Sequence, residues 1–542
     1  MRLLLAPLLL LAMSQAAATD LILYNGKLWT GDAANPSATA LAIEDGRIVA
    51  VGDDATILKL ATGDSQRIDL KGLRVVPGLN DAHVHLGASP PSTRLELPFP
   101  ESTSAQVQAA LVAQPADGDG WITGDIGATV WNDPSWHQSR LDSLHPTRPV
   151  MLQMFTGHGL LLNSAAQRAL AIDPAIAVPG GWYGKTATGA FDGRVYEYAQ
   201  WRNTTQRPPL PDDVETASLQ QYTQATQRWG TTSLQVMTWV APERFVGLWK
   251  DSGARSRLRL IRFPTPAAHG DAVISDTLPK RPAGAAHVTV SGTKWIIDGT
   301  PIDQAAPLRA PYPDTGAKGR LNFDRVQIEA MLREALARDD QVLLHVAGDV
   351  AAITVMDAME AIASPTQWRA RRLRFEHGEG LAPDLLARAA TFGIVVVQNP
   401  SHFAVPEEHP YTSLVRARGF SPLSGLLDAG LPLALGSDGP PNPWLNLMFA
   451  IAPASRPDQA LTREQALRAY TAGSAFAEFS EQEKGTLAVG YAADFAVLSQ
   501  DVLDPALPMQ ALPGTRSLLT VIDGEIVWRD PAFQPTPPAT AP

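Results

Sequence analysis

Apolar residues in this chain fall into two contrasting patterns, and their order along the sequence predicts the architecture. Near the start, "LILYNGKLWTGD" (21–32) and "ALAIEDGRIVAVG" (40–52) alternate apolar and polar residues at period two, the signature of half-buried strands. Asn25-Gly26 and Asp45-Gly46 are hairpin dipeptides inside these segments. Near the other end, "GTLAVGYAADFAVLSQ" (485–500) and "LLTVIDGEIVWRD" (518–530) repeat the pattern, with Asp523-Gly524 as a further hairpin turn. Each terminal group is too small to fold alone. Pairing the two groups predicts one small β-domain built from both chain ends, 19–75 and 481–530.

Between them the pattern changes to short, nearly continuous apolar runs separated by helix-like stretches. Eight runs read as buried strands: "LRVVPGLNDAHVHL" (73–86), "TTSLQVM" (231–237), "RLRLIRF" (257–263), "VSGTKWIID" (290–298), "QVLLHVAG" (341–348), "RLRFEHG" (372–378), "GIVVVQNP" (393–400) and "LPLALGSD" (431–438). The clearest helix is "FDRVQIEAMLREALARDD" (323–340), which puts Ile328, Met331, Leu332, Ala335 and Leu336 on one face behind Asp324 as N-cap. "LTREQALRAYTAG" (461–473) opens with Thr462 and Gln465 at capping-box spacing. Eight strands covered by helices predict an α/β fold, a (β/α)8 TIM barrel over 76–480, with its chemistry at the C-terminal strand ends. Residues from about 88 to 225 do not keep the beat, and Trp- and Gly-rich stretches there read as an insertion that shapes the substrate pocket.

Composition adds boundaries to this picture. At 542 residues, two or three domains are expected. The net charge of -11 and the lack of a long basic run argue against a nucleic-acid partner. The first residues differ from all that follow: Arg2, an apolar run from Leu3 to Met13 and the small residues Ala16-Ala17-Ala18 form a signal peptide, 1–18, cleaved near Ala18. That run is short of the roughly 20 residues a spanning helix needs. No later segment reads as a membrane span, so the expectation is an exported, periplasmic protein with no membrane partner. With no cysteine there is no disulfide framework. The tail, 531–542, is Pro-rich and reads as disordered.

The polar residues that close the apolar runs carry the chemistry. His83 and His85 close the first, Lys294 lies in the fourth, His345 closes the fifth, His377 the sixth and Asp438 the eighth. Residues two apart on a strand share a face, so His83 and His85 both look into the barrel mouth. A lone histidine on such a strand is ordinarily a packed core residue. Four histidines and an aspartate at the same end of successive strands match the ligand set of Zn²⁺ or a similar divalent ion.

These motifs ("PGLNDAHVHL", "LLHVAGD", "RFEHGEG", "ALGSDGP" and "GTLAVGYAADFAVL") resemble the amidohydrolase superfamily of metal-dependent hydrolases across about residues 20–530. "RPVMLQMFTGHGLLLNSAA" and "GTTSLQVM" are similar to the branch containing N-substituted formamide deformylases. The resemblance implies a distorted barrel with a two-ended β-sandwich and one or two divalent ions. It implies that His83, His85 and Asp438 hold the more buried ion, and His345 with His377 the more exposed one. It places Lys294 where many members carry a carboxylated lysine bridging two metals. A free ammonium there would repel a pair of cations, so the alternative is a one-metal enzyme in which Lys294 pairs with Asp298 or Asp438. The chain departs from the branch at "TPIDQAAPLRAPYPDTG" (300–316), so no substrate contact carries over there.

Such an ion lowers the pKa of a held water toward roughly 7. Asp438 is the expected general base, passing the proton to a leaving amine. His158, in the insertion, and His402, after the seventh run, are candidate substrate contacts; capping the helix that follows is the other reading of His158. Asp349 is a candidate partner of His345, and Glu376 is expected to point away from the mouth and pair with an arginine. His137, His145, His269, His287, His402 and His409 are given no metal role. The expected activity is hydrolysis of a non-peptide C–N bond in a small molecule: an amide, formamide or cyclic amide. A one-metal deaminase or an ester or lactone hydrolase is the alternative, and an exported binding protein without turnover the remote one. A homodimer stays open.

Overall fold

The computed structural model describes residues 19–87, 91–115, 120–205, 209–264, 278–407 and 409–533; the leader, most of the tail and His269 lie outside them. Eight parallel strands form one sheet: Leu79–Val84, Thr231–Thr238, Arg257–Arg262, Val288–Ile296, Val342–Val346, Arg374–His377, Val395–Gln398 and Leu433–Leu435, each beside the next in chain order. They are the first to eighth barrel strands below. The ring is nearly closed: beyond the end of the eighth strand, the Asp438 amide donates to the His83 carbonyl at 2.9 Å. All eight apolar runs became strands of this barrel. Most of these strands are buried along their whole length, which is why they read as continuous apolar runs rather than alternations.

Helices cover the outside, among them Arg325–Ala337, Asp349–Ile362 and Pro383–Phe392. The first is capped as its sequence predicts, with Asp324 and Gln327 in a reciprocal capping box, and buries Ile328, Met331, Leu332 and Ala335. Thr462 and Gln465 form a second box on Arg463–Arg468.

Both chain ends contribute to a pair of sheets beside the barrel. One orders Arg47–Gly52, Ala40–Glu44, Leu21–Tyr24 and Gln66–Asp69; the other orders Glu525–Arg529, Ser517–Ile522, Phe495–Leu498, Arg74–Pro77, Lys27–Trp29 and Ser37–Ala38. Arg74–Pro77 is the seam: it pairs in parallel with Lys27–Trp29 and antiparallel with Phe495–Leu498, setting Val76 opposite Ala496. Leu23, Leu41, Ile68, Val75, Phe495, Val497, Leu519 and Val521 share the core between the sheets.

Asp45-Gly46 and Asp523-Gly524 are tight hairpin turns with positive φ at both residues. Asn25-Gly26 is not. Asn25 has φ 56, but Gly26 does not follow it into the left-handed region, and the flanking strands enter different sheets. Gly26 is needed for closeness instead, since a Cβ there would sit 2.5 Å from Leu70 Cδ1. At the entrance to the barrel, the Gly78 amide donates to the Asp494 carbonyl at 2.9 Å, and a Cβ on Gly78 would meet Thr232 Oγ1 at 2.2 Å.

The stretch after the first barrel strand holds a six-stranded sheet, from Ser92–Arg94 to Phe191–Glu197. Its inner face joins the barrel core, with Leu160, Leu162, Val195 and Tyr198 in one cluster with Trp295 and Phe323. The turn between Val150–Met154 and Gly159–Leu162 carries His158 to the barrel mouth. Among the described residues, no helix is long and apolar enough to cross a membrane.

Candidate metal centre

The first barrel strand ends in alternation, so Asp81, His83 and His85 face inward together. Asp81 stays below the mouth: one carboxylate oxygen accepts from the Ser437 amide at 2.8 Å and the His83 amide at 3.2 Å. His83 and His85 are each held from Nδ1. His83 Nδ1 lies 2.7 Å from Glu376 Oε2, and His85 Nδ1 lies 2.9 Å from the Met237 carbonyl. Both partners are acceptors only, so each ring carries its proton on Nδ1 and turns a bare Nε2 lone pair to the mouth.

Those lone pairs face each other across 3.2 Å. Asp438 Oδ1 stands 3.6 Å from His83 Nε2 and 3.7 Å from His85 Nε2. Three acceptors converging on one point repel one another unless a cation lies among them. The donor set therefore fits a divalent ion of the Zn²⁺ type. His377 completes the arrangement from the sixth strand, its Nε2 3.7 Å from Asp438 Oδ2 and its Nδ1 3.1 Å from Asn399 Nδ2. Donor atoms of His83, His377 and Asp438 lie within 4.8 Å of one another.

Backbone conformation brings two of these residues in. His377 has φ 67 and Asp438 φ 38, both in the left-handed region that costs a non-glycine residue energy. On the sixth strand, Arg374 and Glu376 share the inward face. His377, next in line, would point outward if the strand simply continued. The left-handed turn rotates it into the mouth beside Glu376. The expectation that Glu376 points away is thus corrected, although its arginine partner is there: Arg374 Nε donates to Glu376 Oε1 at 2.8 Å. Burial opposes ionising Glu376, but Arg374 and His83 hold its carboxyl down at about 2.

His345 reaches the mouth from the fifth strand, its ring 4.5 Å from that of His377 and 4.8 Å from that of His158. Its Nε2 is 3.5 Å from the Gly299 carbonyl and 3.9 Å from Asp298 Oδ1. Asp349, expected beside it, accepts instead from the amide and Nε of Arg309 at 2.9 and 2.8 Å. Asp298 spends its oxygens on the Ala347 and Gly348 amides at 3.0 and 2.7 Å.

Lys294 is fully buried among these groups, yet pairs with neither Asp298 nor Asp438; its Nζ contacts Met237 Sδ at 3.6 Å. Burial lowers its pKa to about 8, against the charges of Glu376 and Asp438. Burial also disfavours ionisation of Asp438, but the imidazoles of His83, His85 and His402 and the charge of Lys294 hold it well below the usual carboxylate range.

His158 does not cap the following helix, a task Asn163 performs. It enters the mouth with Nδ1 2.9 Å from Glu197 Oε1. Burial works against its charge, but Glu197, with Asp303 and Asp438 further off, raises its pKa to about 9. Glu197 sits at φ 51 and also accepts from Asn322 Nδ2 at 3.1 Å. His402 stacks on His377, centroids 5.5 Å apart, with Nε2 3.3 Å from the Asp438 carbonyl. Donor atoms of His377, Glu379 and His402 lie within 4.8 Å of one another, while Tyr411 Oη donates to Glu379 Oε2 at 3.0 Å. On the other side, Trp239 stacks on His85 and joins Phe263 and Trp201 in an aromatic wall.

The structure thus gathers His83, His85, His158, Lys294, His345, His377, His402 and Asp438 at one barrel mouth. Sequence reasoning missed Glu197, Glu379, Asn399 and Trp239. For Glu379 a signal existed, two positions beyond His377 in "FEHGEG". Glu197 gives none, because a left-handed glutamate leaves no periodicity.

Residues 66–528 match the sequence profile of the amidohydrolase family. The chain is 27% identical over 521 residues to the Arabidopsis thaliana protein LONG AFTER FAR-RED 3, covering 90% of this chain and 88% of that one. It is 25% identical over 550 residues to the N-substituted formamide deformylase of Arthrobacter pascens, covering 93% and 97%. A solved structure, an uncharacterized metal-dependent hydrolase from Pyrococcus horikoshii OT3, shares the fold with a TM-score of 0.69 at 20% identity, over 90% of this chain and 99% of that one.

Proposed function

This chain belongs to the amidohydrolase family, hydrolases of C–N bonds, and we propose that it opens an amide, formamide or cyclic amide of a small molecule, with Asp438 as general base. The observation that carries this reading is the convergence of two bare imidazole nitrogens, 3.2 Å apart, on the Asp438 carboxylate. His83, His85 and Asp438 would hold a divalent ion, which we take to be Zn²⁺. When bound, such an ion makes water acidic enough to attack at neutral pH and polarises the substrate carbonyl. The chain's own groups do the rest. Asp438, ionised and at the rim of the mouth, takes the proton of the attacking water and delivers it to the departing nitrogen. His158 and His402 bind substrate from the insertion side and the seventh-strand side, and the aromatic wall beside His85 excludes water.

A second ion at His345 and His377 requires Lys294 to be carboxylated on Nζ or displaced from the mouth. Its buried position and a pKa lowered to about 8 leave a larger share of neutral amine near neutral pH than an ordinary lysine has, which favours uptake of CO₂. Unmodified, Lys294 leaves the one-metal form, a deaminase or an ester or lactone hydrolase on the same site. The leader-like residues 1–18 support an exported, periplasmic enzyme.

The test is a panel of amides, formamides, lactams and esters incubated with Zn²⁺-loaded protein, alongside metal counts per chain. Wild-type hydrolysis should stop with chelator and return with Zn²⁺. Asp438→Asn should lower turnover about 10²–10⁴-fold. Near-wild-type turnover in a metal-loaded Asp438→Asn protein would overturn the assignment.

A further inference from the structure

Beneath the mouth lies a buried chain of groups that ends on the first histidine. Arg374 and Glu376 are both 0% exposed. The guanidinium grips the carboxylate with two nitrogens: Nε to Oε1 at 2.8 Å and Nη2 to Oε2 at 3.1 Å. Nη1 donates to Gln235 Oε1 at 2.6 Å, and Nη2 also donates to the Ala82 carbonyl at 2.8 Å, one residue before His83. Gln235 is fixed in turn by its Nε2, which donates to the Ser474 carbonyl at 2.9 Å. The carboxylate so clamped accepts from His83 Nδ1 at 2.7 Å, the shortest of the contacts that hold the two first-strand imidazoles.

We propose that Glu376 is a positioning residue that, clamped by Arg374, fixes the tautomer and direction of His83 and thereby sets the affinity of the metal site. The inference rests on the metal reading above. A proton on Nδ1 leaves Nε2 free to bind a cation; the opposite tautomer puts a hydrogen where the ion must go. A carboxylate behind a ligand imidazole also makes it a stronger donor. Arg374 neutralises Glu376 and occupies both of its oxygens, so the carboxylate is kept as an acceptor for His83 and is not itself a ligand. The left-handed turn at His377 is what permits this, because it lets Glu376 and His377 face inward from adjacent positions.

Chelator competition measures the Zn²⁺ dissociation constant, and visible absorption of the Co²⁺-loaded protein reports ligand geometry. Two variants serve: Glu376→Gln, and the charge-balanced, apolar pair Arg374→Met with Glu376→Met. Loss of an outer partner of this kind costs about 10–100-fold in metal affinity, so the double variant should bind Zn²⁺ that much more weakly and show an altered Co²⁺ spectrum, with Glu376→Gln in between. A merely structural role would lower the melting temperature but leave the dissociation constant and spectrum of the folded variants at wild-type values, which would overturn the proposal. Nitrogen NMR of ¹⁵N-histidine-labelled, metal-free wild type, with the His83 signal assigned through His83→Gln, needs no folded core variant. A proton on Nδ1 supports the proposal; a proton on Nε2 overturns it. Wild-type protein that binds no divalent ion would overturn the metal reading itself, whereas equal affinities across tightly binding variants would overturn this inference alone.

Discussion

Substituting Glu197 by Gln tests the electrostatics of the mouth without touching a proposed metal ligand. In the native protein Glu197 holds the buried His158 at about 9, from an ordinary value of 6.5. Between those pH values the folded chain keeps a proton that the unfolded chain has lost. Stability from this group is therefore fully present below about pH 6.5 and falls as pH rises through 9. At about 1.4 kcal/mol per tenfold change in proton affinity, the move from 6.5 to about 9 amounts to at most about 3.5 kcal/mol. The net is smaller, because burial also raises the pKa of Glu197, and keeping that carboxylate ionised offsets part of the gain. With Gln at 197, burial pushes His158 down against only the more distant charges of Asp303 and Asp438. Lys294 titrates in the same region with the opposite sign: its lowered pKa makes stability rise with pH from about 8 toward 10.5. Comparing two proteins that share Lys294 removes that contribution. The assay is urea denaturation of metal-free wild type and Glu197→Gln from pH 6 to 10. The wild-type advantage should be widest below pH 6.5 and close by about pH 9 to 10. A gap that stays constant across the range would refute the reasoning.

Two further outcomes follow from geometry. Gly78→Ala drives a methyl group to 2.2 Å from Thr232 Oγ1 and 2.5 Å from its Cγ2, an overpacking expected to cost about 1–3 kcal/mol in urea denaturation. Thr232→Ala removes both of those atoms and should restore part of the loss; no recovery would mean the clash lies elsewhere. Because the bare nitrogens of His83 and His85 repel each other at 3.2 Å, Zn²⁺ at 100 times its dissociation constant should raise the stability of chelator-treated protein by about 2.7 kcal/mol, and an unchanged denaturation midpoint would contradict that.

The barrel was legible because a strand buried on both faces needs no alternation, and a run as short as "GIVVVQNP", bounded by turn residues, has the length of a strand and not of a helix. The pair His83 and His85 was legible for the opposite reason, since spacing by two is a statement about one face of one strand. Glu376 was misread by the same rule, because alternation fails at a residue with φ 67 and nothing in the letters "EH" announces that. Asn25-Gly26 misled as a turn because its glycine answers a neighbour, Leu70, that is remote in sequence. The insertion's sheet stayed hidden although Trp121–Ile126 buries every second residue. Its Gly124 lowers strand propensity, and the structure needs it there because a Cβ would approach Leu95 Cβ to 3.2 Å. Glu197 could not be found at all, because its role depends on the turn bearing His158 and the segment bearing Asn322 meeting it in space.

The seam strand Arg74–Pro77 carries a consequence for how the molecule is made. Its partner, Phe495–Leu498, leaves the ribosome last among the strands that touch it. At about 5–20 residues per second, synthesis of the roughly 420 residues between them takes on the order of 20–80 s. Throughout that interval Val75 and Val76 present an open edge, and Leu23, Leu41 and Ile68 lack the apolar cover of Phe495, Leu519 and Val521. An open edge beside bare apolar residues invites pairing with other chains. Until Phe495–Leu498 pairs with Val75 and Val76 the sandwich cannot close, so its folding waits on the last strands. A protein held shut by its two ends is finished all at once.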